Sequence, residues 1–201
     1  MGVEADAGCS RIDANATGAI DAIGSLVVEL DAPGLEQAPR RMAETLREFF
    51  AGVEADPLDH LAGAMQSGES GGELVLVRDI SFRSVCEHHL LPFRGRAHVA
   101  YAPGRLLAGL GAIPRVVETL ASRPQLQEAL GQQIVDALEA GLHPEGALVV
   151  LEATHGCLSD RGARQTEAVV CTIAASGRLS DPVRRAEVFA LLGRDFRGAR
   201  P

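Results

Sequence analysis

The chain has 201 residues, of which 46% are hydrophobic, and a formal net charge of −8 with no lysine. This length fits one domain, or one domain with a helical extension. An acidic chain without a basic tract is a poor nucleic-acid binder, and no stretch approaches the ~20 apolar residues of a membrane span. Four cysteines in a chain of this size do not make a disulfide framework. Reduced thiols predict a cytoplasmic protein. The charge and the lack of an apolar span predict no nucleic-acid or membrane partner.

The N-terminal part of the chain predicts helices and loops. Residues 1–16 are expected to form a flexible leader, and residues 17–72 a helical region. Within that region, Pro39–Phe50 places apolar side chains on one face at helical spacing. Glycine and serine dominate the stretch from Gln66 to Gly72, which predicts a loop before the next element.

Residues 73–193 alternate between strand-like and helix-like patterns, and a tail of residues 194–201 follows. Apolar, β-branched runs predict strands, and proline at a first helical position predicts where helices begin. The strands are Leu74–Phe82, Ala97–Tyr101, Ala147–Ala153 and Thr166–Ala175, and the helices begin at Pro114, Pro124 and Pro182. The order of two strands, two helices, two strands and a helix predicts an α+β domain.

Two short stretches concentrate the side chains that bind metals or carry protons. Cys86, His88 and His89 lie within four residues, and His155 and Cys157 lie further along the chain. The whole sequence has four cysteines and six histidines, and five of these ten residues fall in the two stretches. Chance clustering is therefore a poor explanation for them.

The chemistry of these side chains indicates zinc. Zinc prefers thiolate and imidazole ligands, and a catalytic site supplies three of them and leaves one position for water. Cys86, His89 and Cys157 make such a set. His88 and His155 are then imidazoles beside the metal that can move protons near neutral pH, although His88 could instead only orient a ligand.

The same residues resemble the GTP cyclohydrolase I family. The likeness is carried by the run Cys86-Glu-His-His-Leu-Leu-Pro-Phe93, by Glu152-Ala-Thr-His-Gly-Cys157 and by Arg161-Gly162, and it extends from about Gly34 to Leu192. It implies the tunnelling fold (T-fold), an antiparallel sheet with two helices on one face, here with an N-terminal helical extension. It also implies a homo-oligomer, a decamer in that family, with active sites between subunits.

The resemblance further implies the opening of a purine ring in pterin biosynthesis. Water attacks C8 of a guanine-type substrate and formate is released, and with GTP the product is 7,8-dihydroneopterin triphosphate. His88 and His155 would be the acid and the base. Gln127 and Glu128 match the family element that reads the guanine edge, where a carboxylate accepts the N1 and 2-amino hydrogens.

Phosphate recognition is where this chain departs from the family pattern. The family has Gly-Leu-Ser-Lys where this chain has Gly109-Leu-Gly-Ala112, so a hydroxyl and an ammonium are missing. Arg115, Arg161 and Arg41 match family arginines. Two interpretations stay open. Another arginine, such as Arg164, compensates, or the substrate carries fewer phosphates or none, as in a nucleoside, a nucleobase or an 8-oxo-purine.

A function of a different class is also compatible with the sequence. The chain could be a non-catalytic paralogue that binds zinc as a structural element. The three-ligand set argues against this, because a structural zinc is usually closed by four protein ligands. Formate release from guanine compounds separates the two hypotheses.

Overall fold

The computed structural model describes Asp21, Gly24, Ser25 and residues 34–66 and 73–193. The leader at 1–16, the tail at 194–201, most of 17–30 and the loop residues 67–72 lie outside the described residues. The chain divides into two units between Phe49 and Phe50, and each is described by itself. The domain boundaries expected after residues 16, 72 and 193 stay predictions.

Seven helical segments and seven strands have their bounds within the described residues. The helices are α1 (Ala38–Phe49), α2 (Ala112–Ala121), α3 (Gln127–Leu142), α4 (Gly156–Ser159) and α5 (Pro182–Leu192), with 3-10 helices at Pro57–His60 and Gly177–Ser180 bringing the helical segments to seven. The strands are β1 (Met65–Gln66), β2 (Val75–Cys86), β3 (Pro92–Ala102), β4 (Leu106–Leu107), β5 (Pro124–Gln125), β6 (Gly146–His155) and β7 (Val170–Ala175).

The main sheet has five strands in the order β5-β2-β3-β6-β7, and β1 pairs separately with β4. Every neighbouring pair of the main sheet is antiparallel except β2 and β5, which run parallel. Helices α2 and α3 share one apolar cluster with this sheet. The predicted α+β arrangement, an antiparallel sheet with two helices on one face, is therefore confirmed.

The N-terminal unit contains α1, which begins one residue before the predicted helix. Pro39 lies in its first turn, where a backbone N–H has no intrahelical partner to lose. Arg40 and Glu44, one turn apart, form an exposed ion pair at 3.1 Å. Met42, which the sequence pattern placed on an apolar face, is exposed.

The core of the second unit is built on β6, which is buried on both faces of the sheet. Every second residue of Ala147–Ala153 enters the cluster that α2 and α3 cover, whereas Leu148 and Val150 enter a second cluster with Leu179 and Val188. Successive side chains of a strand point to opposite faces. A strand covered on both faces therefore needs a continuous apolar run, which is the pattern that predicted β6.

Two helices begin elsewhere than their prolines predicted. α2 begins at Ala112, so that Pro114 lies in its first turn, where proline is tolerated. α3 begins at Gln127 rather than at Pro124, because Pro124 and Gln125 pair in parallel with the last two residues of β2. Pro124 and Gln125 therefore form an edge strand of the sheet, and the helix begins two residues after Gln125.

The predicted start of the last helix is confirmed. The Asp181 carboxylate accepts hydrogen bonds from the N–H groups of Val183 and Arg184, and Pro182 occupies the first turn. The last strand is shorter than predicted and begins at Val170. Within the described ranges, no helix is long and apolar enough to cross a membrane.

Three segment ends meet at one end of the main sheet. β2 ends at Cys86, and β5 pairs beside that residue and leads into α3. β6 ends at His155, which pairs with Phe93 near the start of β3. The fold thereby brings together the two stretches that the sequence separates.

Candidate active site

The hairpin between β2 and β3 positions the first stretch. Cys86 is buried at the last position of β2, its N–H donates to the Leu91 carbonyl, and its carbonyl accepts from the Leu90 N–H. Leu90 has a φ of 52°, in the left-handed region that a residue with a branched side chain rarely adopts. These two hydrogen bonds close a tight turn that carries His88 and His89.

The fold assembles the predicted ligand set. Cys157 lies in α4, immediately after β6, and the ligand atoms of Cys86, His89 and Cys157 all lie within 4.8 Å of one another. In a zinc tetrahedron, bonds of ~2.3 Å to sulfur and ~2.0 Å to nitrogen put two ligand atoms roughly 3.5–3.8 Å apart. The donor types therefore fit a zinc ion, and separations within 4.8 Å are compatible with this geometry. The metal role of the three residues stays a prediction.

The electrostatics of Cys157 agree with two thiols that face each other. Burial raises the pKa of Cys157, and the neighbouring Cys86 thiol raises it further. Arg161 opposes this and lowers the pKa of Cys157, so its guanidinium lies close enough to act on the thiol. A divalent cation between the two sulfur atoms would favour their thiolate forms.

His155 is held on two sides. Its ring stacks on Phe93 with a centroid distance of 4.7 Å and an interplanar angle of 2°. Its Nε2 atom lies 2.7 Å from Oε1 of Gln127. Burial lowers the pKa of His155, and the nearby Glu128 carboxylate opposes that shift. The structure thus fixes the ring plane of this imidazole.

His88 is much less constrained than His155. Its side chain is 62% exposed, and Nε2 lies 3.9 Å from the Glu87 carboxylate. Its ring stands edge-on to that of His89 at a centroid distance of 6.3 Å. The predicted second proton carrier therefore sits beside a predicted metal ligand, and its imidazole is open to solvent.

The first turn of α3 contributes Gln127 and Glu128 to the same region. Glu128 is exposed and close enough to influence the pKa of His155. Gln127 is 1% exposed, and its amide is bound to groups of β6 and β7 as well as to His155. Of the two residues predicted to read the base, the geometry leaves Glu128 free for a ligand and engages Gln127 within the chain.

The arginines predicted for phosphate recognition are placed differently from one another. Arg115 is exposed on α2, and its Nη2 lies 4.0 Å from the point that a Cβ atom at Gly111 would occupy. Arg161 is exposed near Cys157. Arg41 is exposed on α1 in the N-terminal unit. Arg161 therefore lies near the predicted metal ligand Cys157, and the guanidinium of Arg115 lies near Gly111.

Two residues that shape the site were not predicted from the sequence. Phe93 supplies the ring on which His155 stacks, and Gln125 donates to the Leu120 carbonyl and accepts from Gln133 where β5 meets β2. Phe93 follows the motif directly, but only the pairing of β3 with β6 brings it to His155. A pattern of local residues carries no signal for either contact.

Comparison with known proteins gives a consistent result. The family model of GTP cyclohydrolase I matches residues 14–193. GTP cyclohydrolase 1 of Leifsonia xyli subsp. xyli is 49% identical over 184 residues, covering 92% of this chain and 95% of that protein. GTP cyclohydrolase 1 of Rhodopirellula baltica is 43% identical over 186 residues, covering 92% of this chain and 79% of that protein.

A solved structure was also matched, at a much lower level of similarity. The apo form of an archaeosine synthase, QueF-Like, has a TM-score of 0.45 and 18% identity, and covers 54% of this chain and 97% of its own. That similarity says nothing about the site. The family model and the relatives cover nearly all of the described residues, including both stretches of the candidate site, and this chain therefore belongs to the GTP cyclohydrolase I family and is a hydrolase of that type.

Proposed function

We propose that the chain is a zinc-dependent cyclohydrolase that adds water at C8 of a guanine-type substrate and releases formate. The observation that supports this most directly is the convergence of Cys86, His89 and Cys157, whose ligand atoms lie within 4.8 Å of one another. His155 and Glu128 lie beside that cluster. Ligands, a proton carrier and a carboxylate for the base are thus available at one end of the sheet.

Zinc is the metal that suits these donors. Two thiolates and one imidazole form the three-ligand set of a catalytic zinc site. When bound, zinc would lower the pKa of a coordinated water toward ~7, so that a nucleophile is available at neutral pH. Cys86 is buried and Cys157 is half-buried, which keeps the sulfur ligands partly shielded from solvent.

His155 and His88 are proposed as the residues that move protons during ring opening. Burial lowers the pKa of His155, so its neutral form can accept a proton near pH 7. His88 is open to solvent and can exchange protons with water. Attack at C8 needs a proton removed from water and another delivered to a ring nitrogen, and two imidazoles provide for both.

Glu128 is proposed to read the base. Its carboxylate is exposed in the first turn of α3 and close to His155. A carboxylate can accept both the N1 hydrogen and a 2-amino hydrogen of guanine. Adenine offers neither of these donors in that arrangement, so Glu128 would favour guanine compounds.

Two substrates are compatible with the anion-binding side of the site. With GTP, the product is 7,8-dihydroneopterin triphosphate and the enzyme serves pterin biosynthesis. The alternative is a less phosphorylated or unphosphorylated guanine, or an 8-oxo-purine. It is favoured by the lack of polar side chains at Gly111 and Ala112, because these residues offer a phosphate no side-chain donor at the start of α2. Arg115 and Arg161 are the proposed phosphate ligands in the second unit, and Arg41, which lies in the N-terminal unit, is proposed by its family likeness alone.

The chain is also proposed to act as a homo-oligomer, a decamer by its family likeness. Within the described sheet, β7 has a paired neighbour on one side, and Ile173 on this strand is 52% exposed. Leu110, in the loop before α2, is 89% exposed. Such open strand edges and apolar side chains are commonly covered by a partner. Native mass spectrometry of the zinc-loaded protein would give the number of subunits.

The deciding experiment is a side-by-side assay of GTP, GMP, guanosine, guanine and an 8-oxo-purine with the zinc-loaded protein. Formate and dihydropterin fluorescence are scored separately, so that ring opening and ring closure are distinguished. We expect formate from at least one guanine compound and none after the metal is removed by a chelator. No formate from any compound, with full zinc content, would contradict the proposed function. A wide preference for GTP with ordinary fluorescence would remove the less phosphorylated alternative.

A further inference from the structure

The side-chain amide of Gln127 is enclosed by groups that accept hydrogen bonds. Its Nε2 lies 3.1 Å from the Leu151 carbonyl, 3.0 Å from the Val170 carbonyl and 3.1 Å from the Thr172 hydroxyl. Backbone carbonyls accept but cannot donate. The NH2 group of the amide must therefore face these carbonyls, because the opposite orientation would set one oxygen against two others.

The orientation of the amide determines the tautomer of His155. With NH2 turned toward β6 and β7, Oε1 of Gln127 is the atom that faces Nε2 of His155 at 2.7 Å. An amide oxygen only accepts, so Nε2 of a neutral His155 must carry the hydrogen. Nδ1 is then left with its lone pair, and it is the ring nitrogen that can accept a hydrogen bond or a proton.

Phe93 restricts the same ring in a complementary way. Stacking at 4.7 Å with an interplanar angle of 2° fixes the plane of His155, but a ring rotated by half a turn would stack equally well. The hydrogen bond to Gln127 removes this ambiguity, because only one of the two orientations places a nitrogen against Oε1. Plane and orientation are thus set by two different residues.

We infer that Gln127 is a positioning residue that holds His155 as the Nε2–H tautomer, rather than a residue that contacts the substrate. The inference rests on the proposed function, in which His155 moves a proton. It assigns Gln127 a different role from Glu128, its neighbour on α3, whose carboxylate is exposed. Gln127 is 1% exposed, and both polar atoms of its amide are engaged within the chain.

The first test is the kinetics of Gln127→Met, which keeps the length of the side chain and removes both its donors and its acceptor. Losing a residue that orients a reactive histidine typically costs ~10–100-fold. We expect that loss in kcat, with KM for the best guanine substrate within ~3-fold of the parent and with zinc content unchanged. A raised KM with unchanged kcat would assign Gln127 to substrate binding and overturn the inference.

A second pair of variants separates positioning from a general loss of stability. Gln127→Glu retains an oxygen that can accept from Nε2 of His155, but its second oxygen faces the Leu151 and Val170 carbonyls and can pair with them only as a protonated O–H. It should therefore recover a large part of the kcat lost in Gln127→Met at the acid end of the pH range and less as the pH rises. Thr172→Val removes one acceptor of the amide and leaves Oε1 in place, so it should stay within ~3-fold of the parent. Equal losses in all three variants would mean that the network serves packing only.

A double-mutant cycle tests whether Gln127 acts through His155. In a His155→Ala background, Gln127→Met should have no further effect on the single-turnover rate, since the residue it positions is gone. Multiplicative losses would overturn the inference, because they would give Gln127 a contribution of its own.

A spectroscopic readout decides the tautomer independently of any reaction. Solid-state ¹⁵N NMR of zinc-loaded protein labelled at histidine resolves protonated and unprotonated ring nitrogens, and the signals missing from His155→Ala belong to His155. We expect a protonated Nε2 and an unprotonated Nδ1 in the parent, and loss of that pattern in Gln127→Met. A protonated Nδ1 in the parent would overturn the inference even if the protein releases no formate, so its failure and that of the proposed function are distinguishable.

Discussion

The hairpin after β2 and the end of β6 carry the same kinds of side chain, but they hold them very differently. In the hairpin, His88 is 62% exposed and its ring is in contact with solvent. At the end of β6, His155 is stacked on Phe93 and hydrogen-bonded to Gln127. A tight turn between two strands has no neighbouring element on its outer side, whereas the end of a central strand has neighbours on both sides. The difference teaches that the fold restrains the ring of His155 and leaves the ring of His88 open to solvent.

The largest effect is expected when one of the candidate metal ligands that the two regions contribute is removed. Cys86 belongs to the hairpin side and Cys157 to the β6 side, and both sulfur atoms belong to one candidate metal set. Cys86→Ala and Cys157→Ala should each lose the metal and the activity together, since two remaining ligands bind zinc weakly. Metal content by elemental analysis, measured with formate release, checks this. Full zinc content in both variants would rule the set out.

The next effect sharpens the contrast between the two imidazoles. His155→Ala and His88→Ala should each keep the metal and slow formate release by ~10² or more, as expected for a lost proton carrier. Imidazole added to the solution should partly restore His88→Ala, because that position is open, and should restore His155→Ala much less. Equal rescue of both variants would show that the enclosure of His155 has no consequence for catalysis.

A smaller effect is expected on the recognition of the base by Glu128, which lies near His155 at the end of β6. Glu128→Ala should weaken the preference for guanine over adenine compounds by ~10-fold or more, because leaving the N1 and 2-amino hydrogens of a bound guanine without an acceptor costs ~1–3 kcal/mol. Fold and zinc content should not change, as Glu128 is exposed at the start of α3. The measurement is the ratio of Kd values for a guanine and an adenine nucleotide. An unchanged ratio would remove Glu128 from base recognition.

The smallest effect lies outside both regions, at the start of α2. Gly111→Ser adds a hydroxyl where a Cβ would meet only Nη2 of Arg115, at 4.0 Å, so the change is sterically permitted. One charge-assisted hydrogen bond is worth roughly 1.5–3 kcal/mol, so affinity for GTP relative to guanosine should rise by ~10-fold. Gly111→Ala is the matched control, since it adds the same carbon without the hydroxyl, and it should leave the ratio unchanged. A rise in both variants would assign the effect to backbone stiffening.

Sequence patterns predicted the elements whose residues share one kind of environment along the whole element, such as a strand that is buried throughout. The continuous apolar run of β6 predicted a strand, and a strand was predicted just before Cys86, although that strand extends past the predicted end at Phe82 to Cys86 itself. The start of α3 was not, because Pro124 and Gln125 pair with β2. A parallel pairing of two residues is a tertiary contact, and no local periodicity encodes it.

The same limit applies within the site. The ligand set could be named from donor chemistry, since cysteine and histidine have few other reasons to cluster. The role of Gln127 could not, because its partners Leu151, Val170 and Thr172 come from two strands that follow it in the chain. A neighbour of Glu128 on a helix looks like a second ligand of the base until the carbonyls around it are known.

The parallel pairing of β5 with β2 also links the local stability of the strand end at Cys86 to that of the first turn of α3. Cys86 pairs with Gln125, two residues before α3 begins, and the Ser84 hydroxyl donates to the Arg123 carbonyl alongside. A metal that binds the native state alone stabilises the segments whose local opening would release it. Amide hydrogen exchange at the start of α3, including the Leu130 N–H that donates to the Leu126 carbonyl, should therefore slow on zinc loading. Metal supply would then govern how long the first turn of α3 stays formed between successive substrates.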